Sequence, residues 1–257
     1  MIREPHIKAA IIDTLLANRM VDDDSVIVSE MPVASWSRRA DLVVANGKLV
    51  AFEIKSDADR TERLASQVEA YWSVMEGVTV ICAPRHAHTV LESMPSFVGV
   101  FIAEAGENNV EIELARKPHI RPLSPDAALR LMVVRDLHQM LRHYYGAPPS
   151  SDDRSTLERL ARELPTPVLR ANALAAVKRR YRKCYEDFLS VRQNLGSTIE
   201  ALPSLRRPSW NSGLAKPSLV KIGSALASSD PSVTPVGKEA ERLEIPRIPH
   251  VLPRLIR

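Results

Sequence analysis

The chain has 257 residues, 45% hydrophobic and 26% charged, with a formal net charge of +4 and a mean hydropathy of -0.13, values that exclude wholesale disorder. Its longest apolar run, Val78 to Ala83, is far short of the ~20 residues a membrane span needs, and Arg3, Glu4, Lys8 and Asp13 interrupt any apolar signal core, so a cytoplasmic protein with no membrane partner is expected. Cys82 and Cys184 are too far apart for a disulfide framework or a zinc knuckle, and the 9 glycines form no G-x-x-x-x-G-K or G-x-G-x-x-G phosphate loop.

In chain order, apolar residues recur at helical spacing over 5–19, with Pro5 in the first turn. Residues 26–33 alternate as a strand. After a polar bend at 34–39 come two β-rich runs, 40–45 and 48–54, separated by Asn46-Gly47, a strong hairpin signal. Asp57 and Asp59 are N-cap candidates for a helix over 60–76, with Glu62 completing a capping box. The unbroken apolar strand 78–83 reads as buried on both faces, so the helix before it is a crossover within a mixed or parallel sheet. A short helix at 86–93 and strands at 97–104 and 109–115 complete an α/β core over residues 1–120. His86 and His88 read as loop histidines.

Helices follow at 127–145, 154–164 and 168–195, forming a basic region over 121–200; the last two suggest a loose helix-turn-helix. From Pro203 the chain holds 8 Pro and 8 Ser in 55 residues with little periodicity, so 201–257 reads as an extended or disordered tail. Charge is segregated along this plan. Residues 1–115 carry 10 Lys+Arg and 18 Asp+Glu, and the remainder carries 25 and 13. An acidic half suits a divalent cation and a basic half a polyanion, although a solvated helical surface explains the second equally well.

Three residues in the acidic half carry the chemistry. Glu53 and Lys55 share a strand face. Whether Asp41 joins them depends on the turn. A two-residue Asn46-Gly47 turn pairs Ala45 with Lys48 and sets Asp41 opposite Phe52, on the wrong face. A three-residue loop with Gly47 in the left-handed conformation pairs Val44 with Lys48 and Asp41 with Ala51, making Asp41 a diagonal neighbour of Glu53 on the same face at roughly 7 Å. Two carboxylates at that spacing suit Mg2+, with Mn2+ as a substitute, and Lys55 could orient water or neutralise a phosphate. The bland alternative is a solvated Glu-x-Lys pair. Arg38 and Arg39, just before Asp41, could clamp a phosphate. Lys178, Arg179, Arg180, Arg182 and Lys183 spread around one helix, a distribution that suits a wide polyanion such as DNA.

Asp41 followed by Glu53-x-Lys55 on a hairpin and then a helix resembles the PD-(D/E)XK nuclease superfamily. Ser37-Arg38-Arg39-Ala40-Asp41 with Glu53-Ile54-Lys55-Ser56 resembles archaeal-type Holliday junction resolvases. The span from Glu30 through Arg63-Leu64, Gln67 and Tyr71 to Ala83-Pro84-Arg85-His86 is similar to a small bacterial PD-(D/E)XK family; Ala40 stands where the superfamily often has proline. The resemblance implies a restriction-endonuclease-like mixed sheet flanked by helices and a magnesium-dependent DNA endonuclease in repair or anti-phage defence. It implies Asp41 and Glu53 as metal ligands, Lys55 as catalytic lysine and Gln67 beside the site. A further ligand falls on Glu4, with Glu30 as its rival. The alternative is a catalytically silent nuclease-like module that binds DNA or a protein partner. A homodimer and a partner docked on the proline-rich tail stay open.

Overall fold

The computed structural model describes residues 1–33, 38–107, 109–146, 149 and 151–206. Its centre is a six-stranded mixed sheet in sequential order: β1 (Val26–Val33), β2 (Arg38–Ala45), β3 (Leu49–Lys55), β4 (Gly77–Cys82), β5 (Gly99–Ala105) and β6 (Val110–Arg116). β1 to β3 form an antiparallel meander, β4 and β5 join parallel to β3, and β6 closes the sheet antiparallel to β5. The parallel steps require crossovers, which α2 (Leu64–Trp72) and α3 (Pro84–Ser93) supply. Every residue of β4 is buried, as its unbroken apolar run requires.

α1 (Glu4–Ala17) packs against β3 and β6. The basic region forms α4 (Pro125–Leu131), α5 (Val134–Tyr145), α6 (Arg154–Ala161), α7 (Thr166–Leu195) and α8 (Thr198–Ala201), followed by a 3-10 turn, Leu202–Leu205. α7 lies against β1, β2, α4 and α5, burying Leu169, Ala173, Val177, Tyr181, Tyr185 and Phe188. The described residues fall within one compact unit. Among the described residues, no helix is long and apolar enough to cross a membrane.

Four expectations need correction. The hairpin loop spans Asn46 to Lys48 and closes on Ala45 paired with Leu49, so Ala51 faces Val43 and the register runs two residues further than the spacing implied. Gly47 does take the left-handed conformation, at φ 88. Because the shift is even, side-chain faces are unchanged, and continuation of the ladder sets Asp41 directly across from Glu53. α2 starts at Leu64, not 60, because Asp59 is occupied elsewhere: its carboxylate accepts the Ser56 N–H at 2.8 Å and closes a turn after β3.

The helix expected over 127–145 breaks at Met132-Val133. Asp136 accepts the Val133 N–H at 3.1 Å, starting a second helix there. Finally, Pro203 to Arg206 are ordered: Leu205 is buried, and Arg206 forms a parallel bridge with Ser29. The rest of the expected tail, with its Pro/Ser pattern and basic residues from Arg207 onward, lies outside the described residues, as does Ser37.

Candidate cation site

The meander aligns three carboxylates across neighbouring strands. Glu30 on β1 lies across from Asp41 on β2, and Asp41 lies across from Glu53 on β3. Glu30 holds this place with a left-handed backbone, φ 56, an uncommon state for a residue with a Cβ. α1 brings a fourth carboxylate. Ile2 and Asp57 anchor its start, the Ile2 N–H donating to the Asp57 carboxylate at 2.7 Å and the Asp57 N–H to the Ile2 carbonyl at 3.2 Å. This clasp brings Glu4 to the site.

Two linked clusters result. In the first, Glu4, Glu30 and Asp41 each offer an oxygen, all within 4.8 Å of one another. Asp41 uses Oδ2 to accept the Ile54 N–H at 2.7 Å. Burial, followed by the neighbouring Glu53 charge, pushes the Asp41 carboxyl up to about 8 against the pull of that N–H. Lys8, one helical turn after Glu4, reaches between Glu4 at 2.9 Å and Glu30 at 3.0 Å. Burial opposes its charge, but the two glutamates outweigh burial and raise its pKa.

The second cluster surrounds Glu53, which is 1% exposed. Its Oε1 receives Lys55 Nζ at 2.8 Å and Gln67 Nε2 at 2.5 Å, while Oε2 receives the Tyr71 hydroxyl at 2.7 Å. Lys55 also donates to Gln67 Oε1 at 3.0 Å. The Tyr71 hydroxyl lies 2.5 Å from the Arg39 carbonyl, and burial with the Glu53 charge raises its pKa. A buried carboxylate bonded at both oxygens is stabilised where an unpaired one would be very costly.

The structure therefore brings Asp41, Glu53, Lys55, Gln67, Glu4 and Glu30 together, but divides them between two groups. The oxygens able to share one ion come from Glu4, Glu30 and Asp41, so Glu4 and its rival are both present; Glu53 lies outside that trio. Lys8 joins the site without having been singled out, and Tyr71, named with Gln67 in the resemblance but given no role, joins it as a hydrogen-bond donor to Glu53. Their signals were their spacing, four residues after Glu4 and Gln67 respectively. At the rim, Arg38 donates to Ser66 Oγ at 3.3 Å and Arg39 is exposed.

The cations of α7 occupy a different setting. Lys178 pairs with Asp24. Arg182 donates to the carbonyls of Asp23 at 2.9 Å, Asp24 at 2.5 Å and Ser25 at 3.0 Å. Arg179 and Arg180 hold Asp136 at 2.7 and 2.8 Å, and Lys183 pairs with Asp187 at 2.9 Å. Lys178, Arg179, Arg180 and Arg182 thus meet groups outside α7, while Lys183 meets a residue of its own helix. The two histidines sit on α3, not in a loop: His86 is buried with Nε2 at 3.2 Å from the Ser56 carbonyl, and His88 pairs with Glu92.

Fold and site define an α/β protein with a partly buried carboxylate–lysine cluster across its antiparallel strands. The chain belongs to the bacteriophage P4 protein cII family, whose model matches residues 1–206. Protein cII of enterobacteria phage P4 is 36% identical over 191 residues, covering 74% of this chain and 72% of that protein. Among solved structures, a protein of unknown function from Silicibacter pomeroyi, SPO1766, is similar at 20% identity over 49% of this chain and 80% of its own, with a TM-score of 0.36. Membership overturns the expected function. Family and relative are a phage protein cII, so the magnesium-dependent DNA endonuclease, with its nuclease and hydrolase character, is withdrawn.

Proposed function

We propose that this cII-family chain is a regulatory DNA-binding protein of the cytoplasm, which takes a divalent cation at Glu4, Glu30 and Asp41 and meets a backbone phosphate through that ion and the adjoining Arg38 and Arg39. The observation that carries this reading is the convergence of three carboxylate oxygens within 4.8 Å from α1, β1 and β2. The donor set fits the ion. All-oxygen, carboxylate ligands suit a hard cation such as Mg2+ or Mn2+, and oxygens opposed across Mg2+ stand about 4.2 Å apart. When bound, the ion would neutralise the trio and offer positive charge to a phosphate.

Charge arithmetic makes the dependence strong. Among the described residues, the carboxylates of Glu4, Glu30 and Glu53 pair with the ammonium groups of Lys8 and Lys55, and Asp41 adds a fourth carboxylate, so with all of these ionised the site is negative and repels a phosphate until a cation enters. Binding without cutting agrees with the second cluster, where Lys55 is committed to Glu53 and Gln67. The order of α1, β1 to β3, α2 and β4 supports a scaffold on the restriction-endonuclease-like plan, here used for binding.

Fluorescence anisotropy with duplex DNA, in Mg2+ and then in EDTA, tests the reading. Chelation is expected to remove most of the affinity, as should Glu30→Gln. Replacing Arg38 and Arg39 together by Ala should reduce the slope of log affinity against log salt by about 0.9, the value for one lost phosphate contact. Affinity indifferent to both EDTA and Glu30→Gln overturns the proposal.

A further inference from the structure

α5 and α7 leave a cleft of about 470 Å3 between them, away from the sheet carboxylates. A cleft of this size falls in the range of small-molecule sites. Its floor is fixed. Met140 is buried, and the buried Asp136 carboxylate is held by Arg179, Arg180 and the Val133 N–H. Its walls keep unused polar atoms. Arg179 donates to Asp136 through Nη2, so its Nε and Nη1 have no partner among the described residues. The exposed side chains of Arg142 and Gln139 have no hydrogen-bond or ion-pair partner among the described residues. Asn172 donates Nδ2 to the Val168 carbonyl at 2.9 Å, which leaves its Oδ1 as an acceptor. Of the charged side chains lining the cleft, two are guanidinium groups and one is a carboxylate, and Arg180 helps to neutralise that carboxylate from outside. The excess is positive.

We infer that this cleft binds a small molecule that joins a phosphate group to an amine-bearing heteroaromatic ring, the chemistry of a nucleoside monophosphate. Arg142 and Arg179 present N–H donors to the phosphate, whose oxygens suit the planar fork of a guanidinium. The free Asn172 Oδ1 takes a donor from the ring edge, such as an exocyclic amine, and the Gln139 carboxamide supplies both a donor and an acceptor. Met140 gives the ring an apolar floor, where a thioether packs favourably against an aromatic system. A bare phosphate would leave most of the cleft unfilled, and an uncharged ring would leave its cations unmatched. The site uses none of the sheet carboxylates and is independent of the cation reading above.

Calorimetry on the full chain with adenosine monophosphate, cytidine monophosphate, adenosine and inorganic phosphate tests this, using wild type, Arg142→Ala and Asn172→Leu. The wild type should bind at least one of the two nucleotides with one-to-one stoichiometry, and should bind adenosine and phosphate more weakly than that nucleotide. Arg142→Ala should weaken nucleotide binding about tenfold or more, the scale of one lost charged hydrogen bond. Because the Arg142 side chain is exposed and unpartnered among the described residues, this variant should melt with the wild type, which separates a lost ligand contact from a lost fold. Asn172→Leu should weaken nucleotide binding while leaving phosphate binding as it was. Failure of the wild type to bind either nucleotide overturns the inference, as does nucleotide binding that Arg142→Ala leaves intact. Loss of duplex affinity by Arg142→Ala in the anisotropy titration, with no nucleotide bound by the wild type, also overturns it and makes the cleft wall a contact for the DNA backbone.

Discussion

The carboxylates gathered at β1 to β3 and the cations of α7 are both dense groups of charge, yet they end in opposite conditions. On α7, charge is spent. Lys178, Arg179, Arg180, Arg182 and Lys183 meet carboxylates or carbonyls of the same chain, tying the helix to the segment before β1 and to the start of α5. At the sheet, charge is left over: four carboxylates share two ammonium groups, and a neighbouring charge helps keep Asp41 from ionising at its ordinary pH. A run of like charges in a sequence says little about function until its internal partners are known. The imbalance that remains after pairing is the better guide.

The sharpest way to break this comparison is at Asp136, which holds the α7 side together. It accepts from Arg179, Arg180 and the Val133 N–H, so Asp136→Ala removes two ion pairs and a helix start at one stroke. A loss of about 3 kcal/mol is expected in urea unfolding, the usual scale for breaking a well-buried charge network, with cation affinity of the refolded protein unchanged. Loss of stability under ~0.5 kcal/mol would mean the α7 cations are not committed to the fold and are free for another partner.

Glu53→Gln comes next. It leaves Lys55 buried beside neutral groups, and a loss of about 2 kcal/mol is expected. The informative readout is Mn2+ affinity. If Glu53 serves the Lys55, Gln67 and Tyr71 network and stands outside the ion-binding trio, the variant should keep affinity within about threefold of wild type, whereas Asp41→Asn should lose far more. Equal losses would merge the two clusters into one metal site.

The strands and their faces were legible because local signals act over a few residues. The Asn46-Gly47 turn and the unbroken apolar run of β4 each depend on near neighbours. What escaped depends on partners far along the chain. Asp59 could not be seen closing a turn with Ser56 when it also suited a helix cap. The break at Val133 needs Asp136, itself fixed by Arg179 and Arg180 some forty residues later. In the site, residue types and faces were readable, but the division into a trio and a network was not, since it depends on where α1 and α2 dock. The partners of the α7 cations were equally hidden, because Asp24 and Asp136 lie far away in sequence.

pH separates the two regions in opposite senses. Asp136 is held below its usual carboxylate value despite partial burial, by the Val133 N–H and by Arg179 and Arg180, so its contribution is present above the unfolded value of 3.8 and is lost as pH falls through the lower folded one. Asp41 is raised to about 8, so the folded state holds its proton more tightly than the unfolded state. Its contribution is full below 3.8 and is lost as pH climbs towards 8. Thermal melts between pH 5 and pH 8.5 without metal should therefore show a fall in stability with rising pH that Asp41→Asn removes. Saturating Mg2+ should flatten it, because the ion engages the ionised carboxylate. A slope that survives in Asp41→Asn would assign it to another group.

The smallest effect is expected at Lys183, and it calibrates the rest. Lys183 belongs to the same cationic run as Arg179 and Arg180, but its side chain is 84% exposed and its partner Asp187 is one helical turn away on α7. A solvent-exposed pair at this spacing contributes little and is screened by salt. Lys183→Ala should thus shift the urea midpoint barely beyond error, and the shift should vanish at 1 M salt, while Arg180→Ala costs several times more because it leaves Asp136 short of a partner. The contrast isolates position from charge, since both substitutions remove one cation from the same helix. If Lys183→Ala instead lowers DNA affinity strongly at unchanged stability, the exposed end of the run is a phosphate contact in its own right, and the division between a structural α7 and a binding sheet edge fails at that residue.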